Sequence, residues 1–181
     1  MIKTTSARVA ITIATGNGWS ADDTMDMIKL GVRVQKGSAA SNIPSMLHGL
    51  DCGRILAAID RIDEPARDWA VLVYGAAGYA DSGCVFRVHD RLYAAYVVAQ
   101  GRKPQSPDRI RDIAMVAMHD MRHRLVNHVS LKPADYAQKA GFDVRNWGSY
   151  KDKIECMHKI MDGWDKQALG VVSRALDKIA A

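Results

Sequence analysis

Cysteine is scarce in this sequence and forms no paired motif. The three cysteines, Cys52, Cys84 and Cys156, lie far apart. An odd number of distant cysteines argues against a disulfide framework and favours a reducing compartment. The chain also lacks any Cys-x-x-Cys pair, so cysteine spacing gives no indication of a zinc site.

Long apolar runs are absent as well. No window of about 18 apolar residues occurs, which excludes a membrane-spanning helix at the level of sequence. The first residues include Lys3 and Arg8 but no continuous apolar region, so we expect no signal peptide. These absences together predict a soluble intracellular protein.

Phenylalanine is rare, with 2 residues, and runs of β-branched residues are few, whereas alanine and methionine are plentiful. This balance favours a mostly helical fold, and a hydrophobic content of 48% is typical of globular proteins. Residues 8–15 are the exception, because they alternate and are rich in β-branched side chains. They predict a short strand near the N-terminus.

Apolar spacing predicts helices over residues 21–30, 44–62, 68–79, 88–99 and 107–128. For the third of these, a buried strand over residues 70–74 is the alternative. The helix over residues 44–62 should bury one side, formed by Met46, Leu47, Leu50, Ile55, Leu56 and Ile59.

A linker over residues 101–107, GRKPQSP, predicts a domain boundary. Residues 1–101 hold 10 Lys+Arg and 10 Asp+Glu, whereas residues 102–181 hold 15 Lys+Arg and 10 Asp+Glu. We therefore expect a neutral, mostly helical region that offers a protein-interaction surface, followed by a basic region suited to nucleic acid.

The basic region contains a pattern typical of a helix-turn-helix. Pro133 suits the start of a short helix, Gly141 suits a left-handed cap after it, and Asp143 suits the N-cap of a second helix from about residue 144 to 161. Gly163 should end that helix, and a last one should cover residues 165–180. The small, turn and apolar positions of the motif are filled by Ala137, Gly141, Phe142, Trp147 and Tyr150.

The outward face of the second helix predicts contacts with duplex DNA. Arg145 and Asn146 are the residue types that read guanine and adenine edges in the major groove. Ser149, Lys151 and Lys153 suit phosphates. An ordinary pair of helices with a solvated charged face is the alternative.

Histidines suggest two further sites. His119 and His123 are spaced for a metal ion, but the neighbouring arginines favour a basic helix flank. The dipeptides His89-Asp90 and His119-Asp120, with His48, permit a second hypothesis, a metal-dependent phosphohydrolase of the His-Asp type. Because no second acidic cluster or nucleophile motif supports it, we expect no catalytic residue, cofactor or metal ion.

The last quarter of the chain adds a family resemblance. It includes Trp147 and Ser149, a lysine soon after them, an amphipathic stretch through Met157 and Ile160, and a closing helix that ends in RALDKI. This run resembles the C-terminal helix-turn-helix region of the lambdoid phage late-gene antitermination proteins of the Q type. The lambda-type members carry a cysteine-rich zinc-binding insertion, which this chain lacks.

The resemblance implies a protein that binds DNA near a late promoter and makes RNA polymerase read through pauses and terminators. The positions that match the family's DNA contacts are Arg145, Asn146, Ser149 and Lys151. The implied partners are duplex DNA and bacterial RNA polymerase, alone or with its sigma factor, in the cytoplasm of a bacterial host. The alternatives are a helix-turn-helix repressor or activator that does not travel with polymerase, and a helical adaptor that binds only protein.

Overall fold

The computed structural model describes residues 6–16, 42–76 and 79–180, with the backbone alone for residues 42–48. The described residues form helices and contain no strand. In chain order the helices are α1 (Ala7–Thr15), α2 (Asn42–Asp60), α3 (Glu64–Tyr74), α4 (Cys84–Gln100), α5 (Pro107–Asn127), α6 (Pro133–Ala140), a 3₁₀ turn (Val144–Asn146) and α7 (Trp147–Ala180). The expectation of a mostly α fold is confirmed.

The chain divides into two compact units. The first comprises Met1–Asp81 with Lys166–Ala181, and the second comprises Ser82–Asp165. The linker over residues 101–107 joins α4 to α5, which pack against each other within the second unit. The described helices include none that is both long and apolar enough to cross a bilayer.

In the first unit, α1 packs on α2 and α3 around Ile11, Ile55 and Trp69, which are fully buried. Burying one side chain of this size contributes about 1.5–3 kcal/mol relative to leaving it exposed. Thr12 Oγ1 donates to the Tyr74 carbonyl at 2.7 Å, and the Ala76 N–H donates to Thr15 Oγ1 at 2.8 Å. These bonds fix α1 to the end of α3.

The predicted strand over residues 8–15 is wrong, because this segment is α1. Its β-branched residues favour a strand only weakly, and packing can reverse that preference. As a helix, the segment buries Val9, Ile11 and Ile13 and lets the Thr15 hydroxyl bond the Ile11 carbonyl at 2.8 Å. The predicted helix over residues 21–30 lies outside the described residues.

The helices predicted over residues 44–62, 88–99 and 107–128 are confirmed as α2, α4 and α5, and residues 70–74 are helical within α3. The helix predicted over residues 68–79 begins earlier, at Glu64, because Pro65 suits a first-turn position, and it ends at Tyr74. One predicted core position is wrong: Leu50 is 63% exposed, although Ile55 and Ile59 of the same helix are buried.

In the second unit, α5 packs against both α4 and α6. Its core contains Val88, Leu92, Ile113 and Met118, together with Met157 and Met161 from α7. The predicted break at Gly163 is wrong, because α7 runs without interruption from Trp147 to Ala180. One glycine costs a helix only about 1 kcal/mol, and the buried residues on either side, Met161 and Ala168, hold the helix in place.

Candidate nucleic-acid interface

The turn after α6 has the geometry that the sequence predicts. Gly141 has φ +67°, in the left-handed region, and its N–H bonds the Ala137 carbonyl. The Phe142 N–H donates to the same carbonyl at 2.9 Å. The left-handed residue and these two bonds end α6 and give the Ala137 carbonyl hydrogen-bond donors that the helix itself no longer supplies.

Arg109 of α5 clamps this turn. Its Nη1 donates to the Ala140 carbonyl at 2.6 Å and also to the Gly141 carbonyl. The guanidinium thereby brings a positive charge to the C-terminal end of α6, where the helix dipole is negative. The turn is therefore held by α5 as well as by its own backbone bonds.

We expect Gly141→Ala to lower the free energy of unfolding by about 1–2 kcal/mol, because a Cβ is disfavoured at positive φ. A Cβ built there would also lie 3.0 Å from Arg109 Nη1. The matched control is Gly163→Ala, whose Cβ would meet nothing within 4 Å. This substitution should raise stability by up to about 1 kcal/mol. Urea unfolding of both variants tests this, and equal shifts of the same sign would contradict it.

The second half of the motif begins with a 3₁₀ turn. The Arg145 N–H donates to Asp143 Oδ1 at 2.9 Å, so the predicted N-cap is confirmed. The Asn146 N–H donates to the Asp143 carbonyl at 2.9 Å, and α7 then starts at Trp147. Arg145 and Asn146 consequently stand on the tight turn that leads into α7, rather than on the α-helix itself.

Two aromatic pairs join α6 and its turn to α7. The Tyr136 and Trp147 rings have centroids 5.6 Å apart at an interplanar angle of 54°. The Phe142 and Tyr150 rings are 4.5 Å apart at 39°. Such tilted pairs contribute about 0.5–1.5 kcal/mol beyond the area that they bury. They fix the direction in which α7 leaves the turn.

The residues predicted to contact DNA lie together on this segment. Arg145, Asn146, Ser149 and Lys151 are exposed, and Lys153 is half-buried. Lys151 Nζ lies 3.8 Å from Glu155 Oε1, and Lys153 Nζ donates to the Ser149 carbonyl and lies 4.8 Å from the centroid of the Tyr150 ring. We call these five residues the basic face.

Sequence reasoning missed a cluster of buried polar side chains that connects α5 to α6 and α7 of the motif. Asp120 of α5 is 2% exposed. It accepts bonds from the Leu131 N–H at 2.6 Å and from the Tyr136 hydroxyl at 2.7 Å. The visible signal was its position seven residues after Ile113 and three after Ala117, on the apolar side of α5, since a carboxylate there needs partners.

His158 of α7 completes the cluster. Its Nε2 lies 3.1 Å from the Tyr136 hydroxyl and 3.4 Å from Asp120 Oδ2, and its Nδ1 lies 3.2 Å from Arg124 Nη1. A guanidinium can only donate, so Nδ1 must accept and the imidazole is neutral. Burial lowers the pKa of His158, with Arg124 acting in the same direction and Asp120 opposing.

Burial, together with the bond to Asp120, raises the pKa of Tyr136 far above its usual 10. Its hydroxyl therefore stays protonated and donates to the carboxylate. Through Asp120, Tyr136 and His158, the cluster ties α5, α6 and α7 together.

This cluster predicts a loss of stability in mild acid. Because the folded pKa of His158 lies below 6.5, the unfolded chain takes up its proton first. The contribution of His158 is complete above pH 6.5 and falls as the pH drops through the folded pKa. We expect the free energy of unfolding to decrease less between pH 7.5 and pH 5 in His158→Gln than in the wild type. Parallel dependence on pH in the two proteins would contradict this.

The His-Asp pairs do not assemble a shared site. His89 Nε2 contacts the Arg111 carbonyl at 2.9 Å, and Asp90 pairs with Arg111 at 3.2 Å. Asp120 points to the buried cluster instead of toward His119, which is exposed like His123. The described residues contain no group of three or more His, Cys, Asp and Glu placed to hold a metal ion, and the His48 side chain lies outside them.

Comparisons of this chain with protein-family models, with curated proteins and with solved structures found no match.

Proposed function

We propose that this chain binds duplex DNA through the basic face and regulates transcription. The observation that carries the proposal is the exposure of Arg145 and Asn146 on a turn whose position is fixed by Arg109, the Asp143 cap and two aromatic pairs. Side chains that read base edges must be exposed, and their backbone must be held in a defined register. This turn meets both conditions.

Each residue of the basic face has a role suited to its chemistry. Arg145 can donate two hydrogen bonds to a guanine edge. Asn146 can donate one hydrogen bond to an adenine edge through its amide NH2 and accept another through its amide oxygen. Ser149, Lys151 and Lys153 suit the flanking phosphates. The contact between Lys151 and Glu155 is exposed at both ends, so exchanging it for a phosphate costs little.

The charge of the second unit favours the same partner. Residues 82–165 hold 14 Lys+Arg and 10 Asp+Glu. A positive excess draws the protein to DNA through counterion release, irrespective of base sequence. Phosphate contacts would then orient the turn, and Arg145 and Asn146 would supply selectivity.

Among DNA-binding regulators of transcription, we propose that the chain is an antitermination factor, which binds a late-promoter site and modifies bacterial RNA polymerase. The resemblance of the last quarter of the chain to the Q-type proteins supports this choice. A repressor or activator bound at the same kind of site would stop or start transcription without altering elongation. A transcription assay on a template with a terminator downstream of the site separates them, since only the antiterminator increases read-through.

The DNA-binding proposal is tested by selecting bound sequences from a random pool of duplexes. We expect enrichment of a short motif that contains guanine and adenine, and loss of enrichment in the variant Arg145→Ala/Asn146→Ala. The control is Arg122→Ala/Lys159→Ala, which changes two exposed residues outside the basic face. An unenriched pool would contradict sequence-selective binding, and failure to retain any DNA would favour an adaptor that binds only protein.

A further inference from the structure

A concave pocket in the second unit shares Lys153 with the basic face, and no role considered so far uses its other walls. Its volume is about 430 Å³, and α4, the linker, α5 and the first turns of α7 line it. That volume falls in the range of pockets that hold small molecules. The walls are polar, so an apolar ligand would not suit them.

The charge on the walls has one sign. Arg102, Lys103, Arg109 and Lys153 line the pocket, and no aspartate or glutamate does. Four cations around a cavity of this size repel one another, and a bound anion would relieve that repulsion. One negative charge would leave most of that repulsion, so the pocket suits an anion that carries several charges.

Two of these cations are already fixed in place. Arg109 is held by the carbonyls of Ala140 and Gly141, and Lys153 by the Ser149 carbonyl. The other two, Arg102 and Lys103, are exposed on the linker and form no ion pair with any residue in the described part of the chain. A ligand would therefore meet two preorganised charges and two further charges that have no ion-pair partner among the described residues.

The remaining walls suit a phosphorylated ligand. Ser106 and Gln105 supply a hydroxyl and an amide that can donate to phosphate oxygens. Tyr96 and Tyr150 form the aromatic part of the lining. Because the pocket is concave and about 430 Å³ in volume, a compact ligand fits its shape better than the extended backbone of a duplex does.

We infer that this pocket binds a small polyphosphate, such as the diphosphate group of a nucleotide. Arg102 and Lys103 close over the phosphates, and Arg109 and Lys153 receive them from the opposite helices. This inference does not depend on DNA binding.

The test uses inorganic pyrophosphate as the probe, titrated into the full chain by calorimetry at constant ionic strength. We expect saturable 1:1 binding that weakens about tenfold or more in Arg102→Gln/Lys103→Gln. The matched control is Lys139→Gln/Lys159→Gln, which removes the same charge from exposed residues outside the pocket. It should stay within about twofold of the wild type.

Three results would overturn the inference. One is the absence of saturable binding, and another is equal weakening in both double variants, which would mark attraction by net charge alone. The third is displacement of pyrophosphate by a short DNA duplex at equal phosphate concentration that persists in Arg145→Ala/Asn146→Ala, which would assign the pocket to the DNA backbone. Arg145→Ala should leave pyrophosphate affinity unchanged, so failure here is distinguishable from failure of the DNA-binding proposal.

Discussion

Asp120→Ala is expected to lower the free energy of unfolding by about 3 kcal/mol, because it leaves buried donors without an acceptor. The Leu131 N–H and the Tyr136 hydroxyl both donate to this carboxylate, and His158 stands beside it. Since α5, α6 and α7 each contribute to the cluster, the damage should concentrate in the helix-turn-helix. Relative to the wild type, hydrogen exchange in Asp120→Ala should accelerate more for the amides of α6 than for those of α1.

The matched control is Asp112→Ala, two turns earlier on α5, where the side chain is exposed. It should change stability by no more than about 0.5 kcal/mol. Tyr136→Phe should give an intermediate loss of about 1–2 kcal/mol, because it removes the contacts of the hydroxyl with Asp120 and His158 and keeps the ring that packs on Trp147. Urea unfolding with hydrogen exchange checks all three, and equal losses from Asp112→Ala and Asp120→Ala would contradict the role of the cluster.

Arg145→Ala is expected to weaken binding to the selected DNA site by about 1–3 kcal/mol and to relax selectivity at one base pair. The side chain is exposed, and its backbone N–H, held by Asp143, is unchanged by the substitution. The loss should therefore appear in affinity and not in folding.

Arg122→Ala provides the charge-matched control, since Arg122 is an exposed cation of α5 outside the basic face. It should weaken binding to all sequences slightly and equally, through the electrostatic contribution alone. Gel-shift titration against the selected site and a single-substitution series separates the two effects. Equal affinity of Arg145→Ala and wild type for the site would remove the base-reading role.

Local signals in the sequence were enough to place the helix-turn-helix. Pro133, Gly141 and Asp143 each have a conformational preference that acts over a few residues, and the structure uses each as predicted. The spacing of Trp147 and Tyr150 likewise predicted apolar contacts, which are the two aromatic pairs.

Where packing outweighed local preference, sequence reasoning failed. Residues 8–15 have strand-forming side chains, yet as α1 they pack against α2 and α3. Gly163 is a poor helix former, but the helix around it is held by buried neighbours on both sides. Periodicity also assigned Leu50 to the core, although it is exposed.

The cluster of Asp120, Tyr136 and His158 could not be predicted from sequence patterns, because its members are distant along the chain. Asp120 and His158 are 38 positions apart, and nothing local pairs them. The apolar surroundings of Asp120 could have indicated a buried carboxylate, without indicating which donors satisfy it. The pocket that shares Lys153 with the basic face could not be predicted for the same reason, because its cations are distant in sequence and come from a linker and two helices.

Affinity for duplex DNA as a function of salt concentration tests the central claim most directly. A labelled duplex of the selected sequence is titrated with the full chain, and the logarithm of the binding constant is followed against the logarithm of the salt concentration. We predict a straight line of negative slope, which becomes shallower by about 1 in Lys151→Ala. The absence of binding at low salt, or a slope that Lys151→Ala leaves unchanged, would contradict DNA recognition by the basic face.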